Sequence, residues 1–483
     1  MQLLPLTLLS VCLGYLLKEF DLVALRVLFY DFARDPPDLP EPDGCQRLKG
    51  PIGAEDAVVL SGMPPIILTG ELDAIAHEFT NLHQHGSSSS TSPRGTLWSI
   101  DRLADPTPRL LPLAVPLPPD VSTLHTHGLG LHGDVLFAVN HAFGGGGERV
   151  ERWLVERLEP SEDGPPVRLT HLGSVTGHGG DASGEGAWSF TSRLHAAIND
   201  IAPIGAHDFF FTQFLDVPAS LEGAGSGALE GHVAEPERFV TRMLRRLAAA
   251  HGVEAYARAI MPRLRRSRVW HCYCASDGLR DFGDEEGGAC ARMACEPVGP
   301  NSTCWNGIAY RPVEQDGARG LQGYLYVNDI FRRIVVEFAV RGTRGETKLE
   351  EVRQFRAPIM VDNVHVDAVS GTELWVGGVG VSHQSFFGGL AALQANASLA
   401  YESARIAGST VPRPHVHLRP SADEPPLPAM PSGAIHINLE DGKVTVKLLQ
   451  QKQLASVSWS HRIGQRLFMG SPWDDGVLVC PLS

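Results

Sequence analysis

The chain has 483 residues, with 51 glycines, 35 prolines and 43% hydrophobic residues. That is ample apolar material for a core and many turn formers for a chain dominated by long helices. Its formal net charge of -14 excludes a general nucleic-acid binder, which needs a basic face to neutralise phosphates, and suits bound cations. The basic cluster between Arg242 and Arg268 reads as the solvated side of a helix.

In chain order, residues 1–17 are apolar and the first charge is Lys18, so they read as a secretory leader or signal anchor. With the amphipathic stretch Phe20 to Phe32 they make a hydrophobic segment over 1–34, followed by a Pro-rich linker over 35–44. From 45 to 483 short apolar strands recur between turn signals, mainly β in character. Examples are Val58 to Leu60, Ile66 to Gly70, Thr96 to Asp101, Val135 to Asn140, Trp153 to Arg157, His207 to Thr212, Gly323 to Asn328, Ile334 to Phe338, Glu373 to Gly377, Val444 to Leu449 and Arg466 to Gly470. Insertions are expected near 161–192, 217–270 and 275–303. Ser161 to Ser192 is Gly/His/Asp-rich and reads as a flexible loop, Glu235 to Arg266 has apolar residues at helical spacing, and Ser276 to Thr303 reads as a Cys-rich loop.

Of the eight cysteines, Cys45 and Cys480 bracket the strands, while Cys272, Cys274, Cys290, Cys295 and Cys304 crowd one region. Their spacing does not match the usual zinc knuckles, and an export leader favours disulfides. Asn301 and Asn396 head glycosylation triplets that fit the same route.

Short polar turns recur beside the apolar strands: Glu55-Asp56, His127-Gly128, Asn199-Asp200, Asn306-Gly307 and Asp362-Asn363. Carboxylates and Asn carbonyls are hard oxygen donors, which favours calcium over zinc. Each such turn alone is ordinary turn chemistry.

Together, in this order and with these flanks, the strings from Cys45 to Cys480 resemble the serum paraoxonase/arylesterase family of calcium-dependent hydrolases. The resemblance implies an all-β fold, a six-bladed β-propeller around a central tunnel, with an N-terminal hydrophobic helix and a lid-like helical insertion. It implies two Ca²⁺ ions. Glu55, Asn199, Asn306, Asp362 and Asn363 match the ligands of a catalytic ion, and Asp56, Asp200 and the Leu129 carbonyl match those of a deeper structural one. His127 and His141 match a His-His dyad that activates water, with Glu55 or Asp362 as alternative bases, and Cys45 with Cys480 matches a disulfide joining the chain ends. The family also implies an uncleaved N-terminus attached to a membrane or lipid surface.

Two departures concern the pocket. The family's Thr-Asn-Asp-His run stands here as Thr212-Gln213-Phe214-Leu215, and its Cys-His after Leu374-Trp375-Val376-Gly377 is Gly378-Val379. The expectation is therefore a secreted or membrane-attached, calcium-dependent hydrolase of aryl esters and lactones, with phosphotriesters as a further substrate class. The alternative is a noncatalytic, calcium-stabilised binding propeller.

Overall fold

Phe209, Phe210 and Phe211 are consecutive and all buried. Successive side chains of a strand point to opposite faces, so this strand has no solvent face. Phe209 and Phe211 pack in one core with Phe137 and Val139, whereas Phe210 packs in another with Trp305 and Leu325. A sheet with apolar residues on both faces must be sandwiched between two others, and here that condition repeats around a ring.

The computed structural model describes residues 43–72, 95–119, 121, 124–141, 149–159, 161–176, 198–213, 267–274, 293–302, 304–316, 320–342, 344–380, 431–450, 453–454 and 456–482. Strand β1 (Gln46–Ile52) belongs to the last sheet. The first sheet holds β2 (Ala57–Leu60), β3 (Ile66–Gly70), β4 (Leu97–Asp101) and β5 (Arg109–Pro112), and the second β6 (Thr126–His132), β7 (Val135–Asn140), β8 (Arg149–Arg157) and β9 (Val167–Thr176). The third holds β10 (Ile198–Pro203), β11 (Phe209–Gln213), β12 (Ser267–Cys274) and β13 (Met293–Ser302), and the fourth β14 (Trp305–Asp316), β15 (Leu321–Asp329), β16 (Ile334–Arg341) and β17 (Lys348–Arg356). The fifth holds β18 (Met360–Val366), β19 (Glu373–Gly380), β20 (Ser432–Asn438) and β21 (Val444–Gln450). The sixth runs β22 (Trp459–Ile463), β23 (Arg466–Gly470), β24 (Asp475–Pro481) and then β1.

All pairings are antiparallel, and the first strands of successive sheets lie side by side. Six apolar cores separate the sheets, the last joining the sixth sheet to the first through Trp459, Phe468, Val477, Ala57, Ile67 and Ile100. The described residues thus form a closed six-bladed β-propeller. Closure uses both ends of the chain: β1 pairs with β24 from Gln46↔Val479 to Ile52↔Asp475, and a disulfide joins Cys45 to Cys480.

Strands overlap each of the three stretches expected as insertions. Val167–Thr176, inside the expected flexible loop over 161–192, is the outer strand of its blade, paired along β8. Met293–Ser302, within 275–303, is likewise an outer strand, and Ser267–Cys274 takes the last residues of 217–270 into the sheet. Edge strands need only one apolar face and tolerate proline where the N–H faces solvent. That is how Pro297 and Pro300 are accommodated in β13.

A second disulfide, Cys272–Cys295, bridges β12 to β13 where those residues are register partners, and Cys274 is also disulfide-bonded. This chemistry removes the zinc alternative for these thiols and is consistent with an extracellular or lumenal location. Asn301 is exposed near the end of β13. The N-terminal segment 1–34, the helix expected over 235–266 and Asn396 lie outside the described residues. No helix among the described residues is long and apolar enough to cross a membrane.

Candidate metal centre

Four of the six innermost strands carry an interruption of the ladder, and each interruption contains a polar pair expected from the sequence. In β6 the register shifts between Thr126 and Leu129, around His127-Gly128, and in β10 between Ile198 and Ile201, around Asn199-Asp200. In β14 it shifts between Trp305 and Ile308, around Asn306-Gly307, and in β18 between Val361 and Val364, around Asp362-Asn363. Glu55-Asp56 immediately precedes β2. Such bulges release side chains from the regular alternation and re-aim them. The four bulges and the turn before β2 bring residues of five blades together.

Close approach of the inner backbones depends on glycine. A Cβ at Gly128 would stand 2.4 Å from Asp200 Cα, and one at Gly307 would stand 2.5 Å from both Asn363 Cα and the Asp362 carbonyl oxygen. Both contacts are with backbone, which cannot swing aside. Gly307→Ala is therefore expected to cost about 1–3 kcal/mol as overpacking and to weaken metal binding at least tenfold by displacing Asn306 from Asp362. Calcium titration calorimetry checks it; wild-type affinity in that variant would show that the close approach is dispensable.

The expected ligands fall into two contact groups, the upper and lower tiers of the expected arrangement. In the upper one, Asn363 Nδ2 donates to Glu55 Oε2 at 2.9 Å and to the Glu55 carbonyl at 2.8 Å. Glu55 Oε1 lies 3.2 Å from His127 Nε2, which is 3.1 Å from Asn199 Nδ2. Asp362 is hydrogen-bonded to Asn306. These contacts bring Glu55, Asn199, Asn306, Asp362 and Asn363 together, with His127 at their edge. His127 Nδ1 meets His141 Nε2 at 2.7 Å, so the dyad geometry is present.

In the lower tier, Asp56 Oδ2 accepts the Leu129 N–H at 2.7 Å, and Asp200 accepts the N–H groups of Ile201 and Ile308 at 2.7 Å each. Leu129 therefore touches this tier through its N–H. Thr212 Oγ1 donates to the Asn306 carbonyl and accepts the Asp200 N–H at 3.1 Å, locking two bulges together.

The electrostatics suit a cation. Glu55, Asp56, Asp200 and Asp362 are all buried. Among the described residues no Lys or Arg pairs with any of them; their ion-pair contacts are with the imidazoles of His127 and His365. Burial, reinforced in three of them by the charges of their neighbours, pushes all four carboxyls well above the usual carboxylate range. Asn199, Asn306, Asp362 and Asn363 each bury an Oδ1 that makes no hydrogen bond, as does Asp56. Five orphaned oxygens at one place are costly unless something positive binds them. The donor set, carboxylates and amide carbonyls, fits Ca²⁺. No cluster of three His, Cys, Asp or Glu side chains suited to a metal occurs among the described residues; this donor set leans on Asn amides, which lie outside that group.

Sequence reasoning missed His365 and His461. His365, on β18, sits with Nε2 3.2 Å from Asp56 Oδ1, and its ring lies 4.1 Å from that of His461 on β22, centroid to centroid. Both are held neutral by burial, His365 lowered to about 3 and His461 well below the ordinary value. The only sequence signal is their place in the innermost strands; His365 stands two residues after Asn363.

No family profile and no curated protein matches this sequence. Among solved structures, a proposed 6-phosphogluconolactonase from Bacteroides uniformis ATCC 8492 is similar at 11% identity and a TM-score of 0.31, over 86% of this chain and 77% of that one. The blade count above rests on this chain's own topology.

Proposed function

We propose that this propeller is a calcium-dependent hydrolase of esters and lactones, with the reacting group held at the upper tier and water activated by His127. The observation that carries the proposal is the combination of buried, unbonded oxygens with a bonded imidazole pair beside them, His127 partly exposed and His141 buried. Four of those oxygens belong to Asn199, Asn306, Asp362 and Asn363. Glu55, Asn199, Asn306, Asp362 and Asn363 would hold the catalytic Ca²⁺, and Asp56 and Asp200 the second ion. When bound, the upper ion supplies a Lewis acid that polarises a carbonyl or phosphoryl oxygen and stabilises the developing oxyanion.

The protein's own groups do the rest. Asn363 and His127 restrain the two oxygens of Glu55, and the Asn199 amide edge against His127 turns its carbonyl oxygen away from the ring. When the proton between the two rings sits on His127 Nδ1, donated to His141 Nε2, the His127 Nε2 lone pair accepts the Asn199 Nδ2–H at 3.1 Å; a water that takes the place of that amide would give its proton to Nε2. His141, nearly buried, fixes that tautomer and the ring's direction.

The same contacts suit a propeller in which calcium only fastens the blades, since the contacts among these residues link inner strands of different blades, as Asn363 does with Glu55. Hydrolysis separates the readings. His127→Gln is expected to lower kcat on phenyl acetate or a lactone about a hundredfold or more while calcium affinity stays within a few-fold. Full activity in this variant would move the base role to Glu55 or Asp362. No calcium-dependent turnover by the wild-type protein on either substrate class would leave the fastening role alone.

The apolar segment 1–34 would attach the protein to a lipid surface. The disulfides support an oxidising compartment for the propeller.

A further inference from the structure

At each of the four bulges two residues of an innermost strand face a single residue of the second strand, which stands between the register partners on either side. That residue is Val139 opposite His127-Gly128, Thr212 opposite Asn199-Asp200, Asn328 opposite Asn306-Gly307 and Gly377 opposite Asp362-Asn363. Two of these side chains carry a hydrogen-bond donor, and both use it in the same way. Thr212 Oγ1, in the third blade, donates to the Asn306 carbonyl of the fourth, and Asn328 Nδ2, in the fourth, donates to the Asp362 carbonyl of the fifth. The two receiving residues are candidate ligands that also bond to one another through their side chains.

The fold itself does not require a donor at these positions. Val139 is fully buried in the equivalent place and packs in an apolar core with Phe137 and Phe209, while at Gly377 a Cβ would collide with the Ser458 carbonyl of the next blade. Thr212 and Asn328 are fully buried as well, and burying a polar side chain where an apolar one packs gains little stability. Asn328 leaves its Oδ1 without a hydrogen bond, so its amide serves the contact that Nδ2 makes. What the two donors determine is where a ligand-bearing turn sits against the blade before it. Contacts of this kind continue round the ring: the Asn363 N–H donates to the Ser458 carbonyl at 2.9 Å, and Ser458 Oγ donates to the Glu55 carbonyl at 2.7 Å.

We propose that Thr212 and Asn328 are positioning residues of the cation centre: by holding the carbonyls of Asn306 and Asp362, they set the side chains of those residues toward each other before an ion arrives. The inference deepens the calcium reading and rests on Asn306 and Asp362 being ligands, not on hydrolysis. Partners that orient metal ligands change affinity about 10–100-fold when removed.

The test uses the full-length protein with calcium calorimetry and with Tb³⁺ as a luminescent substitute for Ca²⁺. Thr212→Val keeps the shape and removes the hydroxyl, whereas Thr212→Ser keeps the hydroxyl. Calcium should bind about tenfold or more weakly to Thr212→Val, and within about threefold of wild type to Thr212→Ser. Luminescence lifetimes in H₂O and D₂O count the waters on bound Tb³⁺, and a ligand that has swung away is replaced by water. Thr212→Val should therefore show at least one more water than wild type, and Thr212→Ser the same number. Wild-type affinity in Thr212→Val overturns the proposal, as does weaker binding with an unchanged water count, which is what general loosening of the fold would give. Should Thr212→Val fail to fold, Asn328→Ala carries the same two readouts with the same overturning results. Weaker, wetter binding in these variants with no calcium-dependent hydrolysis by the wild type overturns the functional reading and supports this one. Calcium-dependent hydrolysis by the wild type with undiminished binding in the variants does the reverse.

Discussion

Stripping calcium with EGTA is expected to lower the melting temperature by on the order of 10 °C and to abolish ester hydrolysis in the same titration. Four buried carboxyls face one another with no Lys or Arg partner among the described residues, so without a cation they must either repel or protonate. The candidate ligands come from separate blades, so an unfolded chain cannot gather them and an ion held by them would bind only the native state. At free calcium about a thousandfold above the dissociation constant, such a ligand stabilises by about 4 kcal/mol. At about 2–4 °C per kcal/mol for chains somewhat smaller than this one, that gives the shift named. Differential scanning calorimetry with and without chelator measures it. An unchanged melt in protein shown to be metal-free would remove calcium from both tiers.

The second large effect is expected from the double substitution Cys45→Ser, Cys480→Ser. The bond closes a loop with a sequence separation of 435, for which the chain-entropy estimate is about 6 kcal/mol. Local contacts offset part of the loss. Arg47 donates to Asp474 at 2.6 and 2.9 Å, to Asp475 at 2.8 Å and to the Gln453 carbonyl at 2.6 Å, and β1 keeps its ladder with β24. A loss of about 2–5 kcal/mol is therefore expected, read from the shift in urea midpoint at constant m. A change under about 1 kcal/mol would mean that the strand pairing alone closes the ring.

Much of this was legible in the sequence, for identifiable reasons. Inner and middle strands such as Ile66–Gly70 and Ile334–Arg341 are buried nearly throughout, so they stand out as apolar runs between turns. The polar pairs of the candidate centre were legible because each breaks such a run with two polar or glycine residues, and the bulge that results is a local event. Outer strands were harder. Met293–Ser302 contains two prolines and is mostly exposed or half-buried, and its strand character comes from pairing with β12 rather than from any pattern of its own. Val167–Thr176 was masked by the Gly- and His-rich residues that follow it. His365 and His461 were illegible for another reason: a histidine in a strand reads alike whether it packs or coordinates. Only the approach of β18 to β22, and to the turn before β2, reveals the contacts with each other and with Asp56.

Closure through β1 also has a consequence for how the protein comes into being at the ribosome. The strand that completes the sixth blade is made first and its partner β24 nearly last, so Gln46–Ile52 has no native neighbour until almost the entire chain has emerged. Asn199, Asn306 and Asp362 can be brought near one another earlier, but Glu55 is locked in through Ser458, Trp459 and His461, which contact the carbonyls of Glu55, Ala54 and Ala57. Folding therefore carries a very long-range final step, slow by its contact order and exposed to misassembly meanwhile. A chain cut short before β22 would keep most of the blades and still lack the binding centre.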